Sequence, residues 1–445
     1  MKRFATPEAV VLLQLESSEH PMHLGLLELF RPPQDAGPNV ARDVYEAMRS
    51  FRDVAPNFAG HPATTRRGTS RLRWSYDDDV DIDYHVRHTS LPAPGGTGEL
   101  FAVVNDLHSR MLDRHRPLWE CHVIDGLDDG RFAMYLKVHH AMTDGVSGAK
   151  IVEANLTTDP QDTQIRVGWI PQPELSRVAT EERPAISAKS VAGVRRSAEL
   201  MLSALREREL IPAARAPRTI FNVAPGGPRR CAAHSWPISR IKDVARAVGT
   251  TTNDAALAMC AGALRRYLSG RNELPDAPLV ALVPVNLRTG DDDTRANVIG
   301  AAVCNLATNI EDPAKRLEAI HASMQRNVQI IRELPQQLAI HMAGLICAPI
   351  SGGTGLGARI PPVFNLAITH VRGMSEPLYW GGARLEGMYP LAPTLRGQVL
   401  NIGLFSRAEG LDFGIVGSAA AVPDPERLIE HLETALQELE LAVGL

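Results

Sequence analysis

Hydrophobic and polar positions follow two different periods along the chain, and each period marks its own segments. A spacing of three to four residues predicts helices, whereas alternation or a short apolar run predicts strands. Before residue 157 this pattern predicts a helix over 7–15 and a strand over 22–30, followed by short elements that polar and glycine-rich turns such as 94–98 connect. The mixture predicts an α/β or α+β arrangement, without an internal repeat.

The second half of the chain shows the same mixture. Helices are predicted after Pro237 and over 253–268, 313–333, 338–347 and 425–441. Strands are predicted over 279–287, 301–309, 364–371, 399–405 and 411–416. Thr252, Asn253 and Asp254 open the helix over 253–268 with residue types that cap helix N-termini. The pattern therefore predicts a second unit of mixed sheet and helices.

Between these halves, residues 157–228 are rich in Pro, Arg, Ser and Ala and contain one amphipathic helical stretch, 191–210. A chain of 445 residues exceeds what one hydrophobic core usually supports. The sequence therefore predicts an N-terminal domain over 1–160, a crossover linker over 161–230 and a C-terminal domain over 231–445.

Composition narrows the class of protein. Hydrophobic residues make up 44% and charged residues 22%, and the net charge is -4, which argues against disorder and against attraction to nucleic acid. No apolar run is long enough to span a bilayer and the N-terminus lacks a secretory hydrophobic stretch. The five scattered cysteines form no C-x-x-C pair, so neither disulfides nor a zinc site is expected. A cytoplasmic protein is expected.

The segment from Arg131 to Gly148 carries candidate chemistry, because it predicts a strand, a turn and a helix around two adjacent histidines. Strand alternation places Met134, Leu136, Val138 and His140 on one face and His139 on the other. His140 is therefore expected to extend the apolar face toward the interior. Ser147 is expected to open a helix over 148–156.

A neutral imidazole, with a usual pKa near 6.5, is well matched to take a proton from an alcohol at neutral pH. The carboxylate of Asp144 would either orient His140 or hold the turn by pairing with an arginine. By composition alone, adjacent histidines beside an acid are more typical of structural or surface groups. A metal site lacks further ligands, and Gly145-Val146-Ser147-Gly148 does not match the G-x-S-x-G of serine hydrolases.

Several motifs in order resemble one family. His139-His140-Ala141-Met142-Thr143-Asp144-Gly145 matches the HHxxxDG signature of the CoA-dependent acyltransferases. Further matches are Pro117-Leu118-Trp119, Ile124-Asp125-Gly126-Leu127, Asn253-Asp254, Pro284-Val285-Asn286-Leu287-Arg288 and 379–385. Together they span nearly the whole chain, and they resemble the bacterial wax ester synthase/diacylglycerol acyltransferase branch.

The resemblance implies two chloramphenicol-acetyltransferase-like domains, each a mixed sheet flanked by helices, with a tunnel at their interface. It implies that His140 is the catalytic base within a motif formed with His139, Asp144 and Gly145, and that Asp144 organises the turn, with Arg288 as a candidate partner. It also assigns substrate-binding positions, some of which have a structural interpretation as well, such as a helix cap for Asn253 and Asp254. These positions are Pro117, Leu118, Trp119, Asn253, Asp254, Asn286, Arg288, Thr369 and His370.

Two segments depart from the family pattern. Thr369-His370-Val371-Arg372-Gly373 stands where the family usually has Ser-Asn-Val-Pro-Gly, and Asn286 stands where it usually has serine. Losing the proline frees a backbone dihedral, and Arg372 introduces a charge. Acceptor preference and catalytic rate are therefore the properties expected to differ, and His370 either enters the tunnel or packs on the opposite face.

The function that this resemblance implies is transfer of a long-chain acyl group from acyl-CoA, as co-substrate, to diacylglycerol, with no bound cofactor or metal. The alternatives are a wax ester synthase acting on fatty alcohols, acylation of another alcohol or an amine, and a catalytically weak acyl-CoA or lipid-droplet binding protein. Basic residues outnumber acidic ones between Lys189 and Arg230. That excess predicts peripheral contact with the inner membrane face or lipid droplets, although a solvated interdomain helix fits equally.

Overall fold

A computed structural model describes residues 3–4, 6–63, 73–143, 145–171, 216–224, 226–286, 299–333, 362–395 and 397–445. Within these residues the chain forms two six-stranded sheets and one three-stranded sheet, with helices packed on the larger ones. The predicted fold class, a mixed α/β protein with two sheet-rich units flanked by helices, is confirmed. The interdomain tunnel stays a prediction.

The strands and helices follow each other along the chain in mixed order. The strands are β1 (Arg3–Phe4), β2 (His23–Arg31), β3 (Gly60–Pro62), β4 (Arg73–Tyr76), β5 (Val86–Ser90), β6 (Trp119–Asp125), β7 (Phe132–His139), β8 (Arg229–Pro237), β9 (Val280–Asn286), β10 (Ile299–Asn305), β11 (Leu366–Arg372), β12 (Tyr379–Trp380), β13 (Ala383–Leu391), β14 (Leu400–Ser406) and β15 (Gly410–Ser418). The α-helices are α1 (Pro7–Leu15), α2 (Val40–Ser50), α3 (Ile82–His85), α4 (Thr97–Ser109), α5 (Gly145–Glu153), α6 (Ile238–Ala247), α7 (Thr252–Ser269), α8 (Pro313–Glu333) and α9 (Pro425–Ala442).

The first large sheet has the strand order β12-β13-β2-β7-β6-β5. Its two outermost strands on one side come from late in the chain, because β13 pairs antiparallel with β2, with Arg384 opposite Arg31 and Leu391 opposite Gly25. Residues of the predicted C-terminal domain over 231–445 therefore contribute strands to the same sheet as β2. Strand pairing is decided by contacts between distant parts of the chain, which local patterns do not reveal. The division into domains over 1–160 and 231–445 with a linker over 161–230 stays a prediction.

Both faces of the first sheet are covered. On one face, α2 and α5 pack over buried side chains that include Phe30, Trp119 and Met134. On the other face, α4 and side chains from β8 and β15 of the second sheet pack over Leu27, Tyr135 and other residues. The N–H of Cys231 also donates to Asn105 Oδ1 across this junction (2.7 Å). The first sheet is therefore interior on both sides.

The second large sheet has the order β10-β9-β11-β14-β15-β8, and its core is formed with α6, α7, α8 and α9. All nine residues of β15 are buried, as expected for a strand covered on both faces. A Cβ on Gly262 of α7 would lie 2.7 Å from the Cβ of Ala435 in α9. Glycine at this position therefore allows these two helices to pack closely.

Most predicted elements agree with the structure to within a few residues. The helices over 7–15 and 313–333 begin and end as predicted. The strand β8 begins inside the predicted crossover, at Arg229, and was not predicted. The predicted helices over 191–210 and 338–347 lie outside the described residues. Among the described helices, none combines the length and apolar character needed to cross a membrane.

Candidate active site

The two adjacent histidines lie where β7 ends and are held by backbone hydrogen bonds on both sides. The N–H of His139 donates to the carbonyl of Leu118, and the N–H of His140 donates to the carbonyl of Met22, each at 2.9 Å. The N–H of Met142 then donates to the carbonyl of His139 at 2.9 Å and closes a turn. The backbone position of His140 is therefore fixed by neighbouring segments and by the turn itself.

The imidazole of His139 is fully buried and both of its nitrogens face protein groups. Nδ1 accepts the N–H of Ala141 at 3.0 Å, so a neutral ring carries its proton on Nε2. Nε2 lies 3.3 Å from Glu16 Oε1. His139 therefore links the turn to the end of α1 and does not reach solvent.

Glu16 is the centre of this buried arrangement. Its Oε1 accepts the N–H of Met22 at 3.0 Å, and its Oε2 accepts two N–H groups of Arg114 at 3.0 and 2.9 Å. Burial favours the neutral carboxyl, but the bonds from His139, Met22 and Arg114 outweigh it and lower the pKa of Glu16 from 4.5 to about 2. The Glu16 carboxylate is therefore charged at neutral pH, and its contact with His139 helps to hold the histidine turn in place.

We expect Glu16→Gln to destabilise the fold at neutral pH. Because the folded pKa of Glu16 is lowered, its charge contributes stability that is present above pH 4.5 and is lost as the pH falls toward 2. At about 1.36 kcal/mol per pKa unit, the free energy of unfolding should fall by roughly 3 kcal/mol. Denaturant unfolding of the variant and the wild type at pH values from about 2.5 to 7 measures this difference in the free energy of unfolding. A difference from wild type that does not narrow below pH 5 would contradict this account.

The prediction that His140 extends toward the interior and His139 does not is wrong. His139 is fully buried and His140, in the turn after the strand, is partly exposed. Alternation failed to separate inside from outside because both faces of the first sheet are covered. The structure thus distinguishes the two histidines by exposure.

The helix after the turn starts earlier than predicted. It begins at Gly145, the last residue of the HHxxxDG signature, and ends at Glu153, whereas a start near Ser147 was expected. Asp144 and Arg288 lie outside the described residues, as does the side chain of Asn286, the last residue of β9. The roles predicted for these three residues stay predictions.

The segment Pro117-Leu118-Trp119 supports the turn from the neighbouring strand. Pro117 and Leu118 are buried, and the Leu118 carbonyl binds the His139 N–H. The Trp119 indole stacks between His85 and Trp169, at centroid distances of 4.5 and 5.1 Å. Of the three side chains, Trp119 alone lines an apolar cavity between the first sheet and α5.

Asp254 caps a helix. Thr251 is the N-cap of α7, and Asp254 Oδ2 accepts the N–H and the hydroxyl of Thr251 at 3.1 and 2.7 Å. The same oxygen lies 2.8 Å from Nδ1 of His321, a residue that the sequence did not single out. The cap is thus one residue earlier than the predicted Thr252, and binding of substrate by Asp254 stays a prediction.

Asn253 and His370 meet although they are distant in sequence. His370 Nδ1 lies 3.3 Å from Asn253 Oδ1, and its Nε2 hydrogen-bonds Ser406 Oγ. Burial and the nearby charge of Arg372 lower the pKa of His370 from 6.5 to about 4. His370 is therefore a neutral, partly buried ring at pH 7, next to the partly buried Thr369.

The end of β11 reaches the N-terminal unit. The N–H of Met374 donates to Glu153 Oε1 of α5 at 3.1 Å. Val371 packs against the same hydrophobic cluster as Met142, two residues after His140. The segment 369–373, in which the sequence departs from the family pattern, thus borders the helix that follows the histidine turn.

Gly373→Ala should disturb this border. A Cβ at Gly373 would overlap the Phe405 ring and lie 2.8 Å from the carbonyl oxygen of Ser406, the residue that also holds His370. We expect a loss of about 1–3 kcal/mol in the free energy of unfolding. Gly98→Ala, where a Cβ would meet nothing within 4 Å, is the matched control. Equal thermal unfolding of the two variants would contradict the prediction.

Glu16, Arg114, His321 and Ser406 were missed by sequence reasoning. Each of these residues contacts a residue far away in the sequence, and no local motif indicates such contacts. The one usable signal was Glu16, an acid directly after the apolar helix 7–15 and shortly before a run of mostly apolar strand residues.

Comparison with known proteins gives a consistent result. The wax ester synthase/diacylglycerol acyltransferase catalytic domain matches residues 6–256, and the WS/DGAT C-terminal domain matches 296–440. A probable diacylglycerol O-acyltransferase of Mycobacterium tuberculosis (strain ATCC 25618 / H37Rv) is 48% identical over 99% of both chains. The O-acyltransferase WSD of Acinetobacter baylyi is 33% identical over 98% of this chain and 96% of that protein.

A solved structure of another protein has the same fold as this chain over its full length. The wax ester synthase/diacylglycerol acyltransferase from Marinobacter aquaeolei VT8 superposes with a TM-score of 0.82 at 34% identity and covers 100% of both chains. The resemblance found in the motifs is thus confirmed, and with it the class of enzyme, an acyltransferase. The chain belongs to the wax ester synthase/diacylglycerol acyltransferase family.

Proposed function

We propose that this enzyme transfers a long-chain acyl group from acyl-CoA to diacylglycerol, with His140 as the general base. A base must come within hydrogen-bond distance of the hydroxyl that it deprotonates. His139 is buried with both ring nitrogens facing protein groups, whereas His140 is partly exposed at the end of the same strand. This difference in exposure carries the assignment.

The proposed reaction proceeds in one ternary complex. His140 takes the proton from the acceptor hydroxyl while the oxygen attacks the thioester carbonyl carbon. The tetrahedral intermediate then collapses, the carbon–sulfur bond breaks, and the imidazolium returns its proton to the departing sulfur. The products are an ester and free CoA, and His140 regains its neutral form. Base catalysis of this kind typically contributes about 10²- to 10⁴-fold in rate.

The surroundings of the predicted substrate-binding residues suggest which substrate each one contacts. Trp119, which lines the apolar cavity beside α5, suits the acyl chain. Asn253, Thr369 and His370 lie on the second unit, next to α5, and suit the acceptor side. A neutral His370 suits an uncharged diacylglycerol, because it adds no charge to that side.

Diacylglycerol is proposed as the acceptor because relatives that match over 99% of this chain carry that activity in their names. A fatty alcohol is the second candidate, since the family description includes wax ester synthesis. Palmitoyl-CoA should be assayed with dipalmitoylglycerol, hexadecanol and a short-chain alcohol, with ester products separated by chromatography. Triacylglycerol should form fastest. Faster formation of the wax ester would overturn the acceptor assignment, and no ester with any acceptor would overturn the function.

Peripheral membrane contact is proposed separately. The basic crossover segment that motivates it falls mostly outside the described residues. Co-sedimentation with vesicles of anionic and of neutral lipid tests it. Binding only to anionic vesicles supports the proposal, whereas equal recovery in the supernatant with both contradicts it.

A further inference from the structure

An apolar cavity lies between the first sheet and α5, and it contains one carboxyl group. The space that the centre of a water-sized sphere can reach is about 40 Å³, which is more than the ~10–15 Å³ that one water needs, so the cavity is narrow but not closed up. Its walls include Trp119, Met134, Ile151, Trp169 and Trp380. Glu28 also lines it, from the middle of β2.

Neither oxygen of Glu28 has a hydrogen-bond partner in the part of the chain that the structure describes, although the residue is 0% exposed. A buried polar group without a partner is costly and calls for an explanation. The surroundings of Glu28 on the sheet are apolar, because the residues opposite it on the two neighbouring strands are Met134 and Met388.

The other polar groups of the cavity wall are already engaged. The indole N–H groups of Trp119, Trp169 and Trp380 donate to the carbonyls of Phe58, Phe51 and Arg166 at 2.8, 3.3 and 2.8 Å. The Asn155 amide donates to the Ile151 carbonyl at 2.8 Å, and the Arg166 guanidinium pairs with Asp162 at 2.7 Å. Among the described residues of this wall, the Glu28 carboxyl is the group with buried oxygens that lack a hydrogen-bond partner, so it is available to a ligand.

We propose that this cavity binds the far end of an alkyl chain that carries an oxygen, a hydroxyl or a keto group, and that the Glu28 carboxyl hydrogen-bonds to that oxygen. The walls suit the alkyl chain, whereas the unpartnered carboxyl suits one polar group on it. A wholly unsubstituted chain would fill the space and leave Glu28 without a partner.

The position of the cavity indicates which carbon of the ligand's alkyl chain should carry the oxygen. Glu28 pairs with Met134, six residues before His140 along β7 and the following turn. At about 3.3 Å per residue, the carboxyl is roughly 20 Å from the histidine turn. This inference rests on the proposed function, because it places the reacting carbonyl at His140. It predicts an oxygen near the distal end of a long chain.

A scan of hydroxyl position tests the inference on the wild-type enzyme. Palmitoyl-CoA, 2-hydroxypalmitoyl-CoA and 16-hydroxypalmitoyl-CoA are each assayed with dipalmitoylglycerol. The kcat/KM of the 16-hydroxy substrate should exceed that of palmitoyl-CoA by about tenfold, and the 2-hydroxy substrate should show no such gain. Turnover of palmitoyl-CoA with no preference among the three, together with no preference for a 16-hydroxy chain on the diacylglycerol, would overturn this inference and leave the proposed function standing.

Two variants connect the preference to Glu28. Glu28→Leu should abolish the ratio of 16-hydroxypalmitoyl-CoA to palmitoyl-CoA, and Glu28→Gln, which keeps hydrogen-bonding atoms, should retain most of it. Because the readout is a ratio, it does not depend on the overall activity of a variant. A reverse arm uses palmitoyl-CoA with a diacylglycerol that carries a 16-hydroxypalmitoyl chain. A preference seen only there assigns the cavity to the acceptor chain, and an unchanged ratio in Glu28→Leu overturns the inference.

Discussion

Replacing His140 by alanine is expected to lower the kcat of ester formation by at least 10²- to 10⁴-fold, the usual contribution of a general base. The expected cause is loss of the group that takes the proton from the acceptor hydroxyl, since His139 is buried against Glu16 and cannot substitute for it. The change removes a partly exposed side chain, so the fold should persist. The thermal unfolding midpoint should therefore stay close to that of wild type.

His115→Ala is the matched control for this variant. His115 is an exposed histidine of the same unit and its side chain has no proposed role. Its kcat should equal that of wild type. If His140→Ala kept wild-type kcat while His115→Ala did the same, His140 would not be the base. A loss of kcat accompanied by unfolding of His140→Ala would instead contradict the expectation that this residue is not structural.

Glu28→Gln is expected to stabilise the protein at pH 8, the opposite of the effect expected for Glu16→Gln. Burial raises the pKa of Glu28 from 4.5 to about 8. Between these two values the unfolded chain releases a proton that the folded protein keeps. The free energy of unfolding therefore falls as the pH rises through this range. Glutamine cannot ionise and avoids this loss.

The size of the effect follows from the same pKa values. At about 1.36 kcal/mol per pKa unit, the ionisable Glu28 costs several kcal/mol at pH 8 and above, and nothing below pH 4.5. Burial is the cause of the raised pKa, and the Arg166 guanidinium on the cavity wall is paired with Asp162. Denaturant unfolding of Glu28→Gln and wild type at pH 4.5 and 8 measures the difference. A gain that is equal at both pH values would contradict a titrating Glu28.

The two buried glutamates show how environment decides the role of one residue type. Glu16 accepts hydrogen bonds from Met22 and Arg114 and lies 3.3 Å from His139 Nε2, so its charge is stabilised. Glu28 faces tryptophan and methionine side chains and has no such donor among the described residues. The first holds the histidine turn in place, whereas the second, buried without a partner, destabilises the folded protein unless a ligand supplies one.

The elements that sequence patterns predicted best are those with a long, regular period. The helices over 7–15 and 313–333 were located to the residue, and the late strands β14 and β15 to within two residues. Their signals are local, because periodicity needs only neighbouring positions. The signature around His140 was equally local, and the family that it indicated is confirmed.

The features that sequence patterns missed depend on contacts between distant segments. The placement of β13 beside β2, the bond between His139 and Glu16 and the contact of His370 with Asn253 and Ser406 all join distant residues. The orientation of His139 was predicted wrongly because the sheet is covered on both faces. Glu28 was visible as an acid at an apolar position of a strand, but its lack of a partner required the structure.

A single-turnover reaction tests the central assignment, His140 as the base that transfers an acyl group from acyl-CoA to diacylglycerol, most directly. Enzyme in excess over radiolabelled palmitoyl-CoA is mixed with dipalmitoylglycerol, stopped at intervals and separated into palmitoyl-CoA and triacylglycerol. The wild-type enzyme should move the label into triacylglycerol in step with release of CoA, and His140→Ala should leave the label on palmitoyl-CoA. Transfer of label by His140→Ala at the wild-type rate would contradict the assignment.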